Sequence, residues 1–120
     1  MMAPVKPSLV CLCALLLWPV AAAAHAHLQQ AFPAEGSVVN SAPAQFTLKF
    51  SEAAQLTALS VQKQGEPQAQ KIQPLPTAAS AQISVAAPTL GPGVYELRYR
   101  VVSADSHVVS GSVHFTIAAQ

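Results

Sequence analysis

Charge is scarce in this sequence. Asp, Glu, Lys and Arg make up 9% of its 120 residues, against about 25% in an ordinary soluble domain. The formal net charge is +1. Nucleic-acid binding needs clustered Lys and Arg to displace counterions from phosphates, so that class is excluded. Sulfur is scarcer still and unevenly placed. Both Cys (Cys11, Cys13), both Met (Met1, Met2) and the single Trp (Trp18) fall within the first 18 residues. Beyond that point no disulfide can staple the chain, and no thiolate or thioether can hold a soft metal. The lone Asn, Asn40, is followed by Ser41-Ala42, so there is no N-glycosylation sequon. The length suits one domain and not two.

What is present at the front reads as an address. Lys6 supplies a positive charge, residues 9–20 are apolar, and Ala21-Ala22-Ala23-Ala24 supplies small residues. That order matches a secretory signal peptide cut after Ala24. The apolar stretch is short of the about 20 residues a membrane span needs. Most of it follows Cys11 and Cys13, which argues against a lipoprotein. Residues 1–24 are therefore expected to be removed, leaving 25–120 as one exported domain. With no Cys framework and no sequon, a bacterial periplasm is the expected compartment. The remaining chain balances Lys49, Lys63, Lys71, Arg98 and Arg100 against Glu35, Glu52, Glu66, Glu96 and Asp105. It keeps all four His, at 25, 27, 107 and 114.

Strand signals dominate this domain. Residues 46–51, 59–62, 83–85 and 112–117 alternate apolar and polar with period two. The clearest case sets Tyr95, Leu97, Tyr99 and Val101 on one face and Glu96, Arg98 and Arg100 on the other. Residues 28–32 read as a short edge strand ended by Pro33. Turns are marked by 33–37, by 40–43 and by Gly91-Pro92-Gly93. Pro67, Pro74 and Pro76 make 64–81 a loop or irregular edge. The Ala-rich pieces 53–58 and 78–87 lack caps and a helical stripe. The pattern predicts an all-β domain, an antiparallel Greek-key β-sandwich or barrel of about seven strands. Its predicted core holds Phe46, Leu48, Phe50, Val85, Tyr95, Leu97, Tyr99, Val113, Phe115 and Ile117.

Two clusters carry chemistry. The first is Asp105-Ser106-His107, ahead of the last strand. In extended backbone, i and i+2 point the same way, so carboxylate and imidazole share a site. Taken alone, the trio is an ordinary turn with a surface His. The second cluster is the new start, His25-Ala26-His27. A first-position His offers its α-amine and its ring Nδ1, which close a chelate ring on one metal. An amine, two imidazoles and a carboxylate suit Cu(II) in tetragonal geometry. His27 would face the same side as His25 in a strand and is a candidate additional ligand. His114 alternates with Val113 and Phe115 and is expected to point outward into solvent. Arg98 and Arg100 share the outer face of their strand.

At these residues the sequence resembles the copper-resistance protein CopC family. Three stretches carry the likeness. One is His25-x-x-Leu28 running into 32–37; another is Leu48-x-Phe50-Ser51-Glu52. The third is Gly93-x-Tyr95-x-Leu97-x-Tyr99, continuing through Arg100, Val101, Val102, Ser103, Asp105, His107 and Gly111 to Phe115. Together they span nearly all of 25–120. The resemblance implies an Ig-like (cupredoxin-like) β-barrel and a periplasmic copper carrier. It implies His25, Asp105 and His107 as Cu(II) ligands, with Glu52 close by and holding the amine. It also implies delivery to an inner-membrane CopD-type copper transporter. Some members carry a Met-rich Cu(I) site in a middle loop. Residues 60–80 here have no Met, so the likeness is to a Cu(II)-only member, expected as a monomer.

Two alternatives belong to other classes. One is a small histidine-brace enzyme resembling copper-dependent polysaccharide monooxygenases. Its usual flat aromatic face has no counterpart here, and an Asp ligand would crowd the opening that oxygen needs. The other is a metal-free β-sandwich module, separated from the first reading by a Cu(II) titration. The carrier reading carries no catalytic activity. It also makes two geometric demands: Asp105 and His107 must approach His25, and the edge strand 28–32 is expected to run beside 110–117.

Overall fold

The computed structural model describes residues 25–120, with Ala3 and Pro4 ahead of them. The expected signal segment otherwise lies outside the described residues. Seven strands follow in order. They are β1 (Leu28–Phe32), β2 (Ser37–Val39), β3 (Gln45–Lys63), β4 (Gln70–Lys71), β5 (Ser80–Ala86), β6 (Gly93–Ser103) and β7 (Val108–Ile117). The described residues contain no helix. The all-β expectation holds, and all ten predicted core residues are buried.

The architecture turns on β3, a single strand of 19 residues. Sequence patterning separates 46–51 from 59–62, yet the chain stays extended through the Ala-rich piece between them. The first half of β3 pairs with β1 on one side and β5 on the other, both antiparallel. Its second half pairs with β6 and, briefly, with β4. Registers shift between Lys49 and Ala54 and again between Leu56 and Ala58. Such irregularities let one strand bend and serve two sheets. The remaining order runs β6, β7, β2.

Two expectations need correction. Strand β1 does not pair with β7; its partner is β3, with Leu28 opposite Phe50 and Phe32 opposite Thr47. The flanks of β7 are already taken by β6 and β2. The sheet is also not wholly antiparallel, because β2 runs parallel to β7.

Alternation sends one face of each long strand inward. Phe46, Leu48, Phe50, Leu97, Val101, Val113 and Phe115 are almost fully buried. Each such side chain contributes about 1.5–3 kcal/mol relative to exposure. Aromatic rings interlock: Tyr95 stacks on Phe115 at 5.5 Å, Phe46 meets Phe115 at 5.9 Å, and Phe50 meets Tyr99 edge-on at 5.5 Å. Opposite Tyr99 in the register stands Gly111. A Cβ there would run into the Tyr99 phenol ring, so the glycine makes room for the aromatic. Gly36 serves a different need: it adopts φ of 72° in the turn before β2 and donates its N–H to the His114 carbonyl at 2.7 Å.

Candidate metal centre

Strand β3 brings the two ends of the domain together. Past the Leu28–Phe50 pair, the chain ahead of β1 continues along β3. The Ser51 N–H donates to the His27 carbonyl at 2.8 Å. The Ser51 hydroxyl accepts the His27 N–H at 2.8 Å and faces the His25 carbonyl at 3.4 Å. Ala26, between the two His, is fully buried in the core. Three residues further along β3, Ala54 pairs with Ser103, the last residue of β6. The start of the domain is thereby laid beside the β6–β7 loop.

That loop is a turn, not the extended segment that period-two reasoning assumed. The Ser106 N–H donates to the Ser103 carbonyl and the Ser103 N–H to the His107 carbonyl, each at 2.9 Å. Ser106 takes a left-handed conformation, φ 67°. Asp105 and His107 still meet, for this different reason. His107 Nδ1 lies 2.5 Å from Asp105 Oδ2. The buried Ser103 hydroxyl donates to Asp105 Oδ1 and lies 3.2 Å from the His107 carbonyl. These bonds, Ser103 first and His107 second, lower the Asp105 carboxyl to about 2.

The rings of His25 and His107 stand 4.6 Å apart, edge to face, at 66°. His25, Asp105 and His107 each offer a ligand atom, and these atoms lie within 4.8 Å of one another. With imidazole–metal bonds of about 2 Å, trans ligands lie about 4 Å apart, so a small closure suffices to hold one ion. All three residues are exposed, which leaves the centre open to exchange. His27 and Glu52 are not part of this group. His27 is exposed, and Glu52 is half-buried on β3 beside Ser51.

Two residues at the site, Ser51 and Ser103, stood in the sequence only as parts of the family likeness, with no role assigned to either. A signal existed for one of them. Ser103 continues the inward phase of Tyr95, Leu97, Tyr99 and Val101, where a polar residue has no reason to sit without a buried partner.

His114 lies away from the centre. It is exposed, as expected, yet engaged: its N–H and Nδ1 both meet the Glu35 carboxylate, at 2.8 and 3.0 Å. The His114 N–H is the main cause that lowers the Glu35 carboxyl below its usual range. Arg98 is likewise occupied, by Glu96 at 2.7 Å.

Comparison with known proteins gives a consistent answer. The chain is 36% identical over 99 residues to Protein YobA of Escherichia coli strain K12, covering 78% of this chain and 79% of that one. The YobA of Shigella flexneri matches to the same extent. In fold it is similar to CopC from Methylosinus trichosporium OB3b, with TM-score 0.65 and 24% identity over 78% of this chain and 94% of that one. It is also similar to PcoC, a methionine-rich copper resistance protein from Escherichia coli, with TM-score 0.56 and 26% identity over 78% of this chain and 98% of that one. The model of the CopC domain matches residues 28–118, from the first strand to just past the last, and on that evidence the chain belongs to the CopC domain family.

Proposed function

We propose that this protein is a periplasmic Cu(II) carrier of copper resistance or homeostasis. It is exported by the signal peptide 1–24 and acts as a monomer from residue 25 onward. His25 binds through its freed amine and its ring, and Asp105 and His107 complete the set. The family likeness gives Glu52 the part of steadying the amine, and His27 stays outside. One observation carries the reading: three donors from the two ends of the domain converge within 4.8 Å. Exposed donors with no thiolate or thioether among them favour the oxidised ion. PcoC is methionine rich, whereas this chain has its two Met at positions 1 and 2. That contrast supports Cu(II) over Cu(I).

His107 Nδ1 lies 2.5 Å from Asp105 Oδ2, and an ion held by these residues would displace the proton the two groups share. Ser103 keeps the carboxylate ionised and aimed, so little ordering remains to be done when copper arrives. An open, shallow centre suits handing the ion on, and we assign an inner-membrane CopD-type transporter as recipient. The monooxygenase alternative is set aside, since CopC proteins are copper-binding resistance proteins and not enzymes.

The test is a competition titration of Cu(II) against a chelator, using protein that begins at His25. Tight one-to-one binding that collapses in His107→Ala supports the reading. Equal affinity in both proteins overturns it.

A further inference from the structure

We propose that His25-Ala26-His27 is a second, competing metal site, and that Ser51 keeps it closed in the folded protein. This rests on the reading above that the working chain begins at His25. A free amine with His at the third position holds four nitrogens in sequence: the amine, two backbone amides and the His ring. They can wrap one Cu(II) or Ni(II) in a plane, in fused chelate rings, a geometry both ions accept. Four metal–nitrogen bonds form and the two amide protons leave to solvent. The metal keeps its oxidation state.

The fold withholds two of those four nitrogens. The His27 amide donates to the Ser51 hydroxyl at 2.8 Å and so is already engaged, not free to give up its proton to an ion held by the amine. The other amide belongs to Ala26, which is fully buried in the core. The Ser51 N–H further fixes the His27 carbonyl at 2.8 Å, and the Ser51 hydroxyl lies 3.4 Å from the His25 carbonyl. Wrapping would require the tripeptide to leave β3 and Ala26 to leave the core. Meanwhile the His25 ring already stands 4.6 Å from that of His107. Both modes use the same amine, so they exclude one another. Ser51 is therefore a specificity-determining residue. It steers the amine toward a centre containing a carboxylate and away from a four-nitrogen plane that takes Ni(II) readily.

Ni(II) alone is the probe, because the four-nitrogen plane gives it a yellow low-spin absorption that requires neither Asp105 nor His107. Protein beginning at His25 is compared with Ser51→Ala and with Ser51→Ala/His27→Ala. The folded unmodified protein should show little of the band. Ser51→Ala should reach half its band at a Ni(II) concentration at least tenfold lower, and the added His27→Ala should abolish it. In a urea titration of the unmodified protein the band should rise with unfolding, which keeps the test alive if Ser51→Ala does not fold. A full band in the folded unmodified protein overturns the proposal. So does a folded Ser51→Ala without tighter Ni(II) binding, or an unfolded chain without the band. Failure of the copper reading would show instead in the copper titration of His107→Ala, with these Ni(II) results unchanged.

Discussion

His25 and His107 face each other ring to ring at 4.6 Å, although they stand at opposite ends of the domain sequence. The contact depends on β3, whose Ser51 holds the segment bearing His25 and whose Ala54 pairs with the strand leading to His107. A chelate built on the amine of His25 makes the first atom of the chain more important than neighbouring side chains. One extra Gly before His25 preserves every side chain and turns the amine into an amide. Cu(II) affinity is expected to fall by orders of magnitude, each factor of ten being about 1.4 kcal/mol. A chelator competition comparing the two proteins checks this, and equal affinities would remove the N-terminal chelate.

The proposed side-chain ligands should differ in weight. His107→Ala should weaken Cu(II) binding strongly. Asp105→Ala should cost less, because water can replace one oxygen ligand. His114→Ala should leave copper affinity unaltered, since His114 is bonded to Glu35 and lies outside the three-residue group. Isothermal titration of the three variants gives the order directly.

Acid should release the metal, and the release should follow nitrogen and not oxygen. Asp105 stays ionised down to about pH 2, held there by Ser103 and His107. Amine and imidazole donors must shed their protons to hold a metal, so falling pH sets protons against the ion at the proposed nitrogen donors while the Asp105 carboxylate stays ionised. Copper occupancy followed by electron paramagnetic resonance should decline as the pH is lowered from 7 to 4. Retention of bound copper unchanged at pH 4 would contradict the ligand set.

The Glu35–His114 contact fastens the turn before β2 to β7, and its pH dependence has a definite sign. Glu35 is lowered in the folded state. A lowered carboxyl contributes stability that is present above its unfolded pKa and lost as pH falls through the folded value. Glu35→Gln should therefore narrow the stability gap between neutral and acidic pH. The exposure of the pair keeps the effect small. Urea unfolding at pH 7 and pH 3, in both proteins, measures it.

Gly111→Ala should destabilise by about 1–3 kcal/mol, the usual range for overpacking. The added Cβ meets the Tyr99 hydroxyl and ring edge. Tyr99→Phe removes the nearest of those atoms and should recover part of the loss. A double-mutant cycle by denaturant unfolding would show the coupling, and strict additivity would exclude the contact.

Much of this fold was legible because β6 alternates so cleanly. Tyr95, Leu97, Tyr99 and Val101 are all buried, and the residues between them are not. The continuity of β3 was not legible. Ser51 to Gln55 has no β-branched or aromatic residue, and it stays extended because β5 and β6 both pair with Ala54. The meeting of Asp105 and His107 was readable from their spacing, but for the wrong local geometry. A turn closed by Ser103 replaces the extended backbone, and turn hydrogen bonds leave little periodicity to read. The tie of Ser51 to His27 depends on a distant pairing, so nothing near either residue announces it.

The long central strand also governs how this protein comes into being. Its partners β1, β4, β5 and β6 are drawn from almost the whole domain, and β6 is synthesised long after β1. Domains dominated by such distant pairings close their chains slowly, in about milliseconds to seconds. Until β6 docks, the half of β3 that bears Leu56 and Val61 lacks its main partner, and its backbone is an open template for a neighbouring chain. Nascent molecules are thus most prone to aggregate before β6 arrives, and mutations that delay its docking should lower yield more than they lower the stability of the finished protein.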